Sequence, residues 1–130
     1  MNTEDTFFAP QLFLLNVADG MAFYKTALDA RELRKWSNPD GSVHVAELSI
    51  GHAIFQLHEE VVGKGQRSAE TLGTTTTLLG LFHNDPDEIF DRAIKAGAKA
   101  LSPMQDYDYG YRQGIFVDPF GHQWMIEKRI

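Results

Sequence analysis

The sequence predicts an α+β fold in which two βαβββ modules pair into a curved mixed sheet around a small-molecule pocket. Three observations carry this expectation. Strand-like and helix-like patterns follow one another twice along 130 residues. Short matches recur between the two halves at nearly constant spacing. A stretch without apolar periodicity, residues 61–76, separates them. Composition, 43% hydrophobic and 23% charged, is that of an ordinary folded domain. A chain of this length buries roughly two thirds of its unfolded surface.

Residues 11–17 (QLFLLNV), preceded by Pro10, read as the first strand. Asp19 then opens a helical pattern, with Phe23/Ala27 and Tyr24/Leu28 each four apart on one face. Asp29 stands where that helix ends, since Asp tolerates the left-handed conformation better than most residues. Asn38-Pro39-Asp40-Gly41 is a turn signal. Beyond it, residues 43–50 and 52–58 read as strands joined at Gly51.

Residues 61–76 gather Gly, Ser and Thr and read as a connector; an irregular segment of that length is functional or a linker. The second half starts with a strand at 77–83. Asp85 is a natural N-cap, Pro86 suits the first helical position and Glu88 completes a capping box. Ile89, Phe90, Ala93 and Ile94 form the buried stripe, and Gly97 closes the helix. Strands follow at 99–102, 113–117 and 122–128, the last two joined by Asp118-Pro119-Phe120-Gly121.

Phe23–Leu28 aligns with Ile89–Ile94, 66 positions on, and Gly51-His52 with Gly121-His122, 70 positions on. The extra residues fit a longer loop within 104–109. The expected layout is one domain over 1–130, with module 1 at about 11–60 and module 2 at about 77–129. One module leaves a face of its sheet uncovered, whereas two side by side leave a concave surface between them.

A net charge of −6 opposes binding to nucleic acid and to anionic membranes, without forbidding an anionic ligand held by one well-placed Arg. The absence of Cys excludes disulfides, thiolate nucleophiles, zinc–thiolate sites and iron–sulfur clusters. Residues 1–10 carry Glu4 and Asp5 and do not read as a signal peptide. No apolar stretch approaches the ~20 residues that span a bilayer. A cytoplasmic protein is expected.

Phe23-Tyr24-Lys25 with Ala27, Ala46-Glu47-Leu48 leading to Ile50-Gly51, and Ala96-Gly97-Ala98-Lys99 occur in that order. Tyr109-Gly110-Tyr111-Arg112 and Asp118-Pro119-Phe120-Gly121-His122-Gln123-Trp124 follow. Together they resemble the glyoxalase/bleomycin-resistance/extradiol-dioxygenase (vicinal oxygen chelate) superfamily, and the last two blocks its 3-demethylubiquinone-methyltransferase-like subgroup. The resemblance covers residues 11–129. It implies paired βαβββ modules, a pocket inside the curved sheet and, commonly, a homodimer. It carries no reaction, because such proteins include lyases, isomerases, dioxygenases and drug-sequestering proteins.

In the metal-dependent members, His, Gln or Glu side chains from the first and last strands of both modules hold a divalent ion that polarises an oxygen-rich substrate. The resemblance places those positions near Leu12, Leu78 and Met125, and at Phe55 or Gln56. None is a carboxylate or an imidazole, and one amide oxygen at Gln56 does not hold an ion. Neither metal nor cofactor is therefore expected. The histidines at 44, 52, 58, 83 and 122 form no HxH, HxxxH or HExxH pair. His52 and His122 fall in matching turns and His83 at a strand end. Alternation could aim His44 and His58 at the concave face beside Gln56, as ordinary strand residues or as ligands of a non-standard site.

Glu47 stands in an apolar strand, either as a partly desolvated general base or as the partner of an Arg or of backbone donors. Gln123 and Glu127 share parity with Met125; Trp124 and Ile126 should pack under the helices. Tyr107, Tyr109, Tyr111 and Arg112 form either a pocket rim with a guanidinium for a carboxylate or phosphate, or a loop fixed by Arg112 to Asp108 or Asp118. No Ser-His-Asp pattern, GxSxG, P-loop or GxGxxG occurs. The leading expectation is a metal-independent protein binding a drug-like or aromatic ligand. Its pocket would be lined by Leu12, Leu14, Ile54, Gln56, Leu78, Phe82 and Met125, with Glu47, His58 and Arg112 as polar anchors. A lyase or isomerase using an unusual metal set or Glu47 as base is the alternative. A dimer with a vestigial pocket is a third.

Overall fold

Asn16, rather than Asp19, starts the first helix. In the computed structural model, which describes residues 6–130, the Asn16 side chain accepts the Asp19 N–H at 3.0 Å. That capping bond ends the preceding strand early, giving β1 (Gln11–Leu14) and α1 (Val17–Leu28). Asp29 takes the left-handed conformation at the C-cap, with φ 54°. The expectation for the first residues, Glu4 and Asp5 included, lies outside the described residues.

β2 (Arg31–Ser37), β3 (Val43–Ile50) and β4 (Ala53–Glu59) complete the first module. β2 is not among the strands that the sequence predicts, and its burial shows why. All seven of its residues are exposed, so RELRKWS carries none of the alternation that marks a half-buried strand. Pairing with β3 alone makes it an edge strand, and its charges suit that position.

The 61–76 connector is structured. It holds a 3₁₀ turn at Val62–Lys64 and a short helix, α2 (Ala69–Leu72). The Glu60 carboxylate accepts the Ser68 N–H at 2.8 Å and the Thr71 hydroxyl at 3.0 Å, which holds the Glu60 pKa below its usual range.

The second module repeats the first: β5 (Leu78–Phe82), α3 (Pro86–Lys95), β6 (Lys99–Tyr107), β7 (Tyr111–Val117) and β8 (Gln123–Arg129). Asp85 caps α3 by accepting the Glu88 N–H at 3.3 Å, with Pro86 in the first turn. Strand order is β1-β4-β3-β2 in one four-stranded sheet and β5-β8-β7-β6 in the other. In each, the outer first strand runs parallel to the last strand and the other pairs are antiparallel. Two βαβββ modules of an α+β fold are thus present, as expected, although they form two mixed sheets rather than one hydrogen-bonded sheet.

Each sheet buries one face under a helix. Leu14, Leu48 and Leu57 are fully buried in the first module, as are Phe116 and Ile126 in the second. Gly20 of α1 lets Leu14 come close, since a Cβ there would overlap Leu14 Cδ1. The modules meet through α1 and α3. The Tyr24 hydroxyl of α1 donates to Asp118 in the β7–β8 turn, and Trp124 Nε1 donates to the same carboxylate oxygen at 3.0 Å. Arg92 donates to the Thr26 carbonyl at 2.8 Å, and His122 Nε2 lies 3.0 Å from the Phe13 carbonyl.

Candidate functional site

Where the modules meet, β4 and β5 leave a cleft with two neighbouring parts. The inner part is an apolar pocket of about 190 Å³ walled by Leu12, Ile54, Phe55, Leu78 and Trp124. The outer part is an open groove of about 870 Å³ between the β3–β4 turn and the ends of β5 and β8. Ile50, Ala53, Gly80 and Leu81 line both. The inner pocket is smaller than the ~300 Å³ at which drug-sized sites begin, so a ligand of that size would occupy both parts.

Of the residues expected to bind, Leu12, Ile54 and Leu78 converge on the inner pocket and Phe82 on the groove. The strand register differs from expectation in β1. Leu12 and Leu14 belong to the buried core, and Leu14 points at α1. The opposite face is marked by Phe13, whose ring meets that of His58 edge-on at 5.4 Å. Leu14 is therefore removed from the pocket wall, whereas Leu12, though in the core, still lines the inner pocket. In β4 the open question of register resolves: Phe55 is 4% exposed and packs on Tyr24 and Trp124, so Gln56 takes the other face.

Gln56, Glu47 and His58 form a separate polar cluster on the open face of the first sheet. Glu47 is half-buried and receives Gln56 Nε2 at 3.4 Å. Arg34 lies opposite Glu47 in register, yet its guanidinium sits over the Trp36 ring, 4.8 Å from the centroid. His58 contacts His44 ring to ring at 4.8 Å, and its Nδ1 lies 2.6 Å from the Glu59 carbonyl. His44 Nδ1 lies 2.8 Å from the Glu59 carboxylate, which also accepts from Asn38 Nδ2 at 3.1 Å.

Arg112 departs from both alternatives raised above. It packs on the helix side, where Nε and Nη2 form a bidentate pair with Asp87 of α3 at 2.8 and 2.7 Å and Nη1 reaches Asp106 at 3.0 Å. These bonds hold the Asp87 carboxyl below its usual pKa and raise that of the guanidinium. Its donors are therefore taken by protein carboxylates rather than offered to the cleft. Met125 lies half-buried on β8, paired with Gly80 of β5. Two positions on, Glu127 is 5% exposed and accepts from Gln113 Nε2 at 2.8 Å, while Gln113 Oε1 accepts from the Tyr109 hydroxyl.

Ile50, Ala53, Gly80 and Leu81, the shared floor of the cleft, were not anticipated. No local signal marks them. They are ordinary strand residues about thirty positions apart, joined only by the packing of one module on the other.

The chain matches the Glyoxalase/Bleomycin resistance protein/Dioxygenase superfamily over residues 11–126. An uncharacterized protein of Mycobacterium bovis, Mb0911c, is 34% identical over 125 residues, which cover 94% of this chain and 82% of that protein. TioX from Micromonospora sp. ML1 has the same fold, with a TM-score of 0.78 at 23% identity over 97% of this chain and 100% of its own. The fosfomycin resistance protein FosX from Mesorhizobium loti superposes with a TM-score of 0.70 at 12% identity, over 97% and 93% of the two chains.

The metal positions implied by that superfamily do not fit an ion here. Leu12, Leu78 and Met125 offer no nitrogen or oxygen donor, Phe55 is in the core, and Gln56 stands alone. Among the described residues no group of three or more His, Asp or Glu side chains is placed to hold one.

Proposed function

The chain belongs to the Glyoxalase/Bleomycin resistance protein/Dioxygenase superfamily, and from that premise we propose that it is a metal-independent protein that binds an apolar or aromatic small molecule in the intermodular cleft. The observation that carries this reading is the inner pocket. Its walls are apolar side chains from both modules, and it shares Ile50, Ala53, Gly80 and Leu81 with a groove large enough for the rest of a ligand. Burying apolar ligand surface there is favourable by about 25 cal/mol per Å² before the costs of association. The mismatch between the implied metal positions and the side chains present favours binding over ion-dependent chemistry.

A homodimer in the cytoplasm belongs to the same proposal. Leu33, Trp36 and Leu101 are 43%, 40% and 55% exposed, and a second copy laid against the sheets would cover such side chains. No helix among the described residues is long and apolar enough to cross a membrane.

A thermal-shift screen of aromatic and aliphatic compounds, run with metal analysis of chelator-free protein, tests the reading. Saturable stabilisation by apolar compounds without bound metal is expected. A stoichiometric divalent ion that any ligand response requires would overturn it, and sedimentation at several concentrations decides the dimer.

A further inference from the structure

The rim of the groove is cationic, although the chain as a whole carries 18 acidic against 12 basic residues. Elsewhere several cations are answered by acids: Lys25 by Glu32 at 3.0 Å, Arg92 by Glu88 at 3.9 Å, and Arg112 by Asp87 and Asp106. At the groove, Lys128 and Arg129 from the end of β8 join His52 and His83, with Asp29 as the one acid in the lining. Among the described residues, neither Lys128 nor Arg129 forms an ion pair within 4.0 Å.

Arg129 is positioned by aromatic groups. Its guanidinium lies 5.0 Å from the Phe82 ring centroid, and its Nε–H donates to the Tyr111 hydroxyl at 3.4 Å. Neither a ring face nor a phenol carries a full negative charge, so these contacts hold the cation in place without pairing it, while the Glu127 carboxylate acts on it from beyond ion-pair distance. His83 adds a donor. Its Nδ1 accepts the Asp85 N–H at 2.9 Å, so the ring proton resides on Nε2.

We infer that the groove takes the charged head of an organic monoanion. A carboxylate would sit at Arg129, with Lys128 adding positive charge from the other face of β8, and its aromatic or aliphatic body would run over Ile50, Ala53 and Leu81 into the inner pocket. The inference rests on the proposed binding role and adds the ligand's charge to it. Arg129 and Lys128 outnumber Asp29 in the lining, and Glu127, buried beside Gly80, already accepts from Gln113, so the rim favours a carboxylate and opposes a cationic drug. Guanidinium and ammonium donors also supply the charge-assisted hydrogen bonds that a carboxylate loses on leaving water.

Calorimetric titration with naphthoate, its neutral counterpart naphthylmethanol and the cationic naphthylmethylamine tests this on the intact protein. Naphthoate should bind at least about tenfold more tightly than the alcohol at low salt. Added salt should erode that advantage, while the alcohol's affinity stays level. The double variant Lys128→Gln/Arg129→Gln should lose the advantage and keep the alcohol's affinity. If the alcohol binds and naphthoate gains nothing over it, the anionic preference is overturned and the apolar binding role stands. If none of the three binds, both are overturned. The salt series on the unaltered protein decides the matter even where the variant fails to fold.

Discussion

The Tyr24 hydroxyl on α1 of the first module donates to the Asp118 carboxylate in a turn of the second, 94 residues away in sequence. Asp118 is 4% exposed and fully used. Its other oxygen accepts the Phe120 and His122 N–H groups at 2.9 and 3.0 Å, and Trp124 Nε1 shares the first. One buried carboxylate therefore shapes the β7–β8 turn and ties it to the opposite module, setting how the two halves stand across the cleft.

Tyr24→Phe removes one of these donors and leaves a buried carboxylate short of a partner. A loss of about 1–3 kcal/mol is expected in urea unfolding at neutral pH. Burial, then the Asp118 charge, raise the Tyr24 pKa well above the usual 10.0. The folded state therefore favours the neutral phenol, and stability present below that usual value is lost as alkaline pH ionises the unfolded chain first. The advantage of the unaltered protein over Tyr24→Phe should shrink as pH rises beyond 10.0. A gap that widens instead would contradict this account.

Gly20→Ala should destabilise even though Ala is the better helix former by up to ~1 kcal/mol. The new methyl would overlap Leu14 Cδ1 and crowd Leu57 Cδ1, and both side chains are fully buried, so relief requires the core to repack. Overpacking of this kind costs about 1–3 kcal/mol and so outweighs the propensity gain. Leu14→Val should lose less in the Gly20→Ala background than alone, a coupling measurable by a double-mutant cycle.

Arg112→Ala should lower the melting temperature at neutral pH and leave ligand affinity in the cleft unchanged. The Arg112 hydrogen bonds keep the Asp87 carboxyl below its usual pKa of 3.8, so their stabilisation is present above that value and lost as pH falls through the lower folded one. The difference between variant and parent melting curves should narrow on acidification below 3.8. A loss of ligand binding at neutral pH would instead return Arg112 to the site.

Leu78→Glu tests the apolar wall. Leu78 is 44% exposed, so the substitution should change stability by no more than about 0.5 kcal/mol. A carboxylate on the wall of the inner pocket should still weaken an apolar ligand about tenfold, read as a smaller thermal shift at equal concentration.

Much of the architecture was legible locally. Asp85-Pro86 favours a helix start from short-range bonding alone, because the cap accepts from its own neighbour Glu88, and α3 begins there. Asp29 ends α1 in the left-handed conformation by the same kind of short-range preference. The superfamily was visible too, because turn and helix motifs kept their order along the chain. β2 was illegible because a strand exposed on every residue leaves no hydrophobic period to detect.

The amino-acid order alone determined the duplicated succession of strands and helices apart from β2, since caps, turns and periodicity act over a few residues. Only tertiary packing decided which side of β1 met the helix, because a one-residue shift in strand register exchanges the two faces. It also decided that Arg112 would be taken by Asp87, 25 positions away, and that Ile50, Ala53, Gly80 and Leu81 would share one cleft. Such partners are chosen by the docking of one module on the other, which no stretch of either module encodes by itself.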